Sequence, residues 1–279
     1  MAYKTILTIV TDDDLQASAL EAAIALAARE DAHLDILCLG IDRTQTGYYY
    51  AGTSAVLMQE TLQRAQEDAA AIEEAVKKRM APESMKWGCD SAVAQIAGLS
   101  HIVAQRSRFA DLVVLPKPYG EKRGIEDEAV VESVLFDGRA PLLVMPEGAD
   151  ASAIGQRIVI AWNQGIEALA AVRKALPLLQ AAESANIVVI DPPQHGPDRS
   201  DPGGMLSQML GRHGVKAEIS VLAKTMPRVS DVLNRHLDET GADLLVMGAY
   251  GHSRFREAIM GGATRDMLEG AEIPVFMAH

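Results

Sequence analysis

Short apolar runs alternate along this chain with longer stretches whose apolar residues recur at helical spacing. Thr5-Ile-Leu-Thr-Ile-Val10 predicts a strand, Thr11-Asp12-Asp13-Asp14 a turn with capping acids, and Leu15 to Glu30 a helix. Leu34 to Leu39 predicts the next strand, about Ser54 to Arg79 a long helix, and Met85 to Cys89 a short strand. Helix follows from Ser91 to Ser107, a buried strand from Asp111 to Leu115, helix from Glu126 to Leu135, and a closing strand from Ala140 to Met145. The stretch from Pro146 to Gly155 is small, polar and Gly/Pro-bearing, and reads as a linker.

After the linker the order repeats. Strands are predicted at Arg157 to Trp162, Ala185 to Ile190, Lys216 to Leu222, Asp243 to Met247 and Ile273 to Met277. Helices are predicted at Ile166 to Leu179, Met205 to His213, Val229 to Thr240 and Phe255 to Leu268. The two halves also match in detail: Ala110-Asp111-Leu-Val-Val-Leu115 resembles Ala242-Asp243-Leu-Leu-Val-Met247, and Ala140-Pro141-Leu-Leu-Val-Met145 resembles Ile273-Pro274-Val-Phe-Met277. Strands alternating with helices imply parallel sheets with right-handed crossovers. The expected fold class is therefore α/β, with two tandem Rossmann-like three-layer domains at residues 1–148 and 155–279. Ligands of such sheets bind at the carboxyl ends of the strands, beside the topological switch point. Asn163, Ile190 and Gly248 all fall at that edge in the second copy.

Composition narrows the function classes. Aromatics are only 4% of the 279 residues, so the core is built from Ala, Val, Ile, Leu and Met. A formal net charge of -12, with no dense Lys/Arg cluster, argues against nucleic acid and anionic membranes as partners. No apolar run approaches the roughly 20 residues that span a bilayer. The amino terminus lacks a signal-peptide layout, so a cytoplasmic location is expected. Cys38 and Cys89 are far apart in sequence, fit no metal or redox spacing, and read as two reduced thiols.

The most specific motif lies near the end. Gly248-Ala-Tyr-Gly251 follows a buried strand, and a charged stretch then leads to Gly261-Gly262-Ala-Thr264. Glycines let the backbone approach an anion, and N–H groups at a helix start point at it. On these residues the chain resembles a tandem universal stress protein, with the resemblance covering both halves. That family's nucleotide motif is Gly, two residues, Gly, nine residues, Gly, then Ser or Thr. Gly248, Gly251 and Gly261 meet the spacing; Gly262 stands where Ser or Thr is usual, with Thr264 two residues on. The resemblance implies an adenine nucleotide alpha hydrolase-like fold. It also implies ATP or another adenine nucleotide as ligand of the second domain, with Mg²⁺ entering only through the nucleotide. An Asp after the first strand contacts the adenosine part in nucleotide-binding members, and Asn163 occupies that position. Ile190 lines the base pocket by the same carry-over. Arg254 flanks the loop as a candidate phosphate contact.

The first copy departs from the motif. Pro116-Lys-Pro-Tyr-Gly120 replaces the first glycine pair, and Val130-Val131-Glu132 falls near the last glycine turn. Proline removes an N–H and Glu132 repels phosphate, so this half reads as structural or partner-binding. Arg256 and His252 read as surface residues beside the loop. His195, His213 and His236 show no ligand spacing, and no metal is expected. Asp12, Asp13 and Asp14 read as helix-capping acids, and Tyr48 to Tyr50 as an ordinary loop. No catalytic motif is present. The leading expectation is a stress-response binding protein without turnover. A nucleotide-free scaffold recruiting an unknown protein partner is the alternative, and a weak ATPase a further one. The resemblance also implies an intramolecular pseudo-dimer, with a homodimer as a further assembly.

Overall fold

The computed structural model describes residues 2–12, 17–43, 55–120, 123–151, 154–192, 201–251 and 262–279. Two compact units appear: Tyr3–Ala140, and Pro141–His279 together with Met1–Ala2.

The amino-terminal unit holds β1 (Thr5–Val10), α1 (Ala17–Glu30), β2 (His33–Asp42), α2 (Ala55–Met80), β3 (Trp87–Gln95), α3 (Ile96–Ser107), β4 (Leu112–Pro116) and α4 (Ile125–Glu132). Its strand order is β3-β2-β1-β4, and its pairs are parallel. β1 and β4 are buried almost throughout, which is why they read as continuous apolar runs rather than alternating ones. Two sequence expectations are corrected here. The strand predicted to stop at Cys89 runs on to Gln95, because its pairing with β2 continues to Asp42↔Gln95. That ladder overrides the helical reading of Ser91 to Gln95, and α3 starts only at Ile96. The helix predicted over Glu126 to Leu135 ends at Glu132 and loosens into a π-helical turn, Ser133–Asp137.

The carboxy-terminal unit holds β5 (Leu142–Met145), β6 (Arg157–Ala161), α5 (Ile166–Lys174), α6 (Leu176–Ala181), β7 (Ser184–Ile190), α7 (Gly204–Arg212), β8 (Ala217–Leu222), α8 (Val229–Thr240), β9 (Leu244–Gly248), α9 (Ala263–Gly270) and β10 (Val275–Ala278). The strand order is β8-β7-β6-β9-β10-β5. All of these pairs are parallel except β10 with β5, where Phe276 lies opposite Leu143 and Val275 opposite Val144. β5 closes the first sequence repeat, yet it completes the sheet of the second unit. The single helix predicted from Ile166 to Leu179 is broken at Ala175. Pro177 lacks the N–H an uninterrupted helix needs, and it sits instead in the first turn of α6.

Leaving aside β10 and β5, the order β8-β7-β6-β9 repeats the order β3-β2-β1-β4. One small device repeats with it. Asp111 accepts the N–H groups of Lys4 and Thr5 at the start of β1. Asp243 accepts those of Gly155, Gln156 and Arg157 at the start of β6. Each aspartate thus ties one strand to the beginning of its neighbour, which accounts for the Ala-Asp pair seen in both halves. The crossovers place helices on both faces of the second sheet. Gly203, before α7, meets Ile219 on one face of β8. His236 of α8 bonds Asn186, which bonds Ser220 on the other.

Candidate functional site

The chain leaves β6 toward β7 in one direction and later returns to β9 in the other. The switch point therefore lies between β6 and β9, at their carboxyl ends. Ala161 pairs with Val188 on β7 and with Met247 on β9. Asn163 and Ile190 each lie two positions beyond that paired level and Gly248 one position beyond it, so all three fall at the carboxyl ends of adjacent strands. Three candidate site residues are thus brought together at one sheet edge. Gly251 follows on the same edge, and Gly262 and Thr264 begin α9 nearby in the chain. Arg254, Gly261, His252, Arg256, His195, Asp13, Asp14 and Tyr48 to Tyr50 lie outside the described residues.

Gly248 is required by packing. A Cβ there would sit 2.5 Å from the Ala168 backbone N and 2.8 Å from the Glu167 carbonyl carbon. The start of α5 crosses that close to β9, and no larger residue fits without displacing backbone. The motif's first glycine therefore has a structural reason independent of any ligand.

The loop after β9 is also internally bonded. Ala249 N–H donates to the Ala278 carbonyl at 2.9 Å, and the His279 ring meets the Ala249 carbonyl at 3.0 Å. Tyr250 is buried at φ 53°, and its N–H donates to Thr264 Oγ1 at 3.0 Å. Thr264 is itself buried. Its hydroxyl oxygen thus pins the loop to the start of α9. Asn163 Oδ1 accepts the Gly165 N–H at 2.9 Å and so shapes the turn into α5, with Gln164 at φ 64°. Its side chain is spoken for on that oxygen, while the residue remains exposed. α9 begins at Gly262 with no side-chain cap bond, which leaves the positive end of its dipole at this edge.

Two carboxylates shape the local charge. Asp266, in the first turn of α9, is engaged by Arg228 and Ser230, each at 3.4 Å. Glu167, in the first turn of α5, has Oε2 3.3 Å from where a Gly251 Cβ would be. Sequence reasoning missed Glu167. An acid in a first helical turn is ordinary dipole chemistry, and only the crossing of α5 over β9 places it against the glycine loop.

The corresponding edge of the amino-terminal unit is different. α4 opens with Glu126, Asp127 and Glu128. Glu126 pairs with Arg43 at 2.6 Å, Asp127 with Arg123 at 3.5 Å, and Glu128 accepts from Tyr119 Oη at 2.8 Å. Burial pushes the Asp127 carboxyl up, against the opposing pull of the Gly124 N–H and Arg123. Three acids stand where an anion would meet this helix. In the carboxy-terminal unit, a cleft opens at the opposite, amino edge of the sheet between Arg157, Asp243, Glu272 and Pro274. It shares no residue with the glycine edge. Among the described residues, no group of three His, Cys, Asp or Glu side chains is placed to hold a metal ion. No described helix is long and apolar enough to cross a membrane.

Universal stress proteins are among the known proteins that this chain resembles. Universal stress protein Slr1230 of Synechocystis is 33% identical over 72 residues, which are 26% of this chain and 24% of that protein. The match therefore spans about a quarter of that relative's length. A universal stress protein from Archaeoglobus fulgidus superposes with a TM-score of 0.71 at 14% identity, covering 98% of this chain and 95% of that one. A putative universal stress protein from Pseudomonas aeruginosa gives 0.60 at 14% identity, covering 99% and 93%. These likenesses establish the fold for the whole length. The model of the universal stress protein family itself matches residues 155–279, so the carboxy-terminal part of this chain carries a universal stress protein domain.

Proposed function

We propose that the carboxy-terminal unit binds an adenine nucleotide at the edge between β6 and β9, and that the chain acts as a stress-response binding protein. The observation that carries this reading is the convergence of Asn163, Ile190 and Gly248 at the switch point, with the uncapped start of α9 following the glycine loop. Asn163 and Ile190 would meet the adenosine part, and Gly251, Gly262 and the first turn of α9 the phosphates. ATP fits this edge with its Mg²⁺, because Glu167 opposes an uncompensated phosphate. Arg254 and Gly261 are part of the same proposal on motif spacing alone. We read the amino-terminal half as a second, degenerate universal stress protein domain. The repeated strand order and the Asp111/Asp243 device support the repeat, and the acids of α4 account for the loss of an anion site.

A second reading has its own support. The Asn163 and Thr264 side-chain oxygens are bonded within the loop, as suits a scaffold whose glycine edge no longer takes a ligand. The two readings separate in one experiment. The full chain is purified without added nucleotide, denatured, and its supernatant resolved by ion-exchange chromatography. Adenine nucleotide near one equivalent per chain supports binding. Protein free of nucleotide that also fails to take up ATP with Mg²⁺ supports the scaffold.

A further inference from the structure

Cys38 and Cys89 are the chain's only cysteines, 51 positions apart. Nothing in their spacing relates them, yet the fold brings them together. β2 and β3 are parallel neighbours, with Ile36 opposite Cys89 and Cys38 opposite Ser91. Cys38 and Cys89 are therefore diagonal neighbours whose side chains leave the same face. Their sulfurs lie 3.4 Å apart. Cys38 is buried and Cys89 half-buried. α2 covers this face, for a Cβ on Gly40, two residues along from Cys38, would run into Ala65 of α2. Glu73 and Lys77 of α2, ion-paired to each other, bear on both thiols.

We infer that Cys38 and Cys89 are a reversible dithiol pair, closing to an intramolecular disulfide in the presence of a hydroperoxide. The sulfur of the more accessible Cys89, as thiolate, attacks the peroxide oxygen. An S–O bond forms, the O–O bond breaks, and the leaving oxygen departs as water, or as alcohol from an organic peroxide, leaving Cys89 as a sulfenic acid. The Cys38 sulfur then attacks the Cys89 sulfur, the S–S bond forms, and the S–O bond breaks with loss of water. Two thiols lose two electrons and two protons, and the peroxide is reduced by the same two electrons. Burial pushes both thiols above their ordinary value; the hydrogen bond between them raises Cys38 and works the other way on Cys89. Cys89 therefore supplies the first thiolate, and closure is slow at neutral pH. The sulfurs must approach from 3.4 Å to about 2.05 Å. β3 ends the strand order of its sheet among the described residues, so no described strand lies outside it to resist that shift.

The full chain is treated with a modest excess of hydrogen peroxide, denatured, and alkylated without reductant. The expected product has lost the mass of two hydrogen atoms, takes up no alkyl group, and yields one crosslinked peptide holding both cysteines. Dithiothreitol restores two alkylation sites. Because the chain has only two cysteines, no other intramolecular disulfide can give this result. In Cys38→Ser, Cys89 should stop at a sulfenic acid that dimedone traps. In the milder Cys89→Ser, at the less buried position, no intramolecular crosslink should form. Full alkylation of both thiols after oxidation, over-oxidation of Cys89 with Cys38 left free, or crosslinks only between chains would overturn the inference.

Discussion

Glycine in a phosphate-binding pattern can be there for the ligand or for the fold, and Gly248 is there for the fold. Its hydrogen faces the backbone of α5 at a distance no Cβ tolerates. Gly248→Ala should lower stability by about 1–3 kcal/mol, the usual range for overpacking, read as a lower urea midpoint. A midpoint unchanged or raised would mean that α5 yields freely. Gly251 differs, since a Cβ there would meet the flexible Glu167 carboxylate rather than backbone among the described residues. Removing that charge should change phosphate affinity, not the fold. Glu167→Gln is expected to tighten ATP binding about 5- to 30-fold without Mg²⁺, roughly 1–2 kcal/mol at a partly screened charge contact, and by less when Mg²⁺ is present. Equal affinities with and without the substitution would place the phosphates elsewhere. His236 makes a third residue-scale statement. Burial holds its imidazole below the ordinary value of 6.5, partly opposed by Glu239, and its Nε2 lies 2.9 Å from Asn186 Oδ1. The unfolded chain takes up this proton first as pH falls. His236 therefore stabilises fully above about pH 6.5, and that contribution declines below it. Urea midpoints measured between pH 7.5 and 5.5 should fall less steeply in His236→Gln than in the parent; parallel slopes would contradict the assignment.

At the scale of elements, much was legible. The apolar runs of β1, β4, β6, β9 and β10 marked buried strands because a parallel sheet is covered on both faces. The repeat Ala-Asp-Leu pointed to a shared position, and the Asp111 and Asp243 carboxylates show its purpose. What failed was local. Ser91 to Gln95 read as the start of a helix, yet the β2 ladder claims them. Pro177 ended a helix that apolar spacing alone carried through. Glu167 could not be seen, because its meeting with Gly251 depends on how α5 crosses β9, and the Cys38–Cys89 contact depends on strand register in the same way. The antiparallel addition of β5 to β10 leads to a prediction at this scale. A fragment beginning at Gly155 lacks β5 and leaves the outer edge of β10, with Val275 to Met277, unpaired. Sedimentation velocity should show this fragment self-associating over a micromolar concentration range. A monodisperse monomer would mean that β5 is dispensable to the edge.

For the whole molecule, the two units share a strand order but not a charge pattern. Where α9 starts with Ala263 and Thr264 behind an uncapped glycine, α4 starts with three acids already held by Arg43, Arg123 and Tyr119. The proposed duplication, with one anion-compatible edge, would account for both the glycines of the second half and the prolines at Pro116 and Pro118 in the first. The most direct test is calorimetric titration of the full chain with ATP and Mg²⁺, repeated with Gly251→Asp, which sets a second carboxylate beside Glu167 at an exposed position. One site per chain is expected in the parent and none in the folded variant. Two equivalent sites, or one site unaffected by Gly251→Asp, would contradict the proposal.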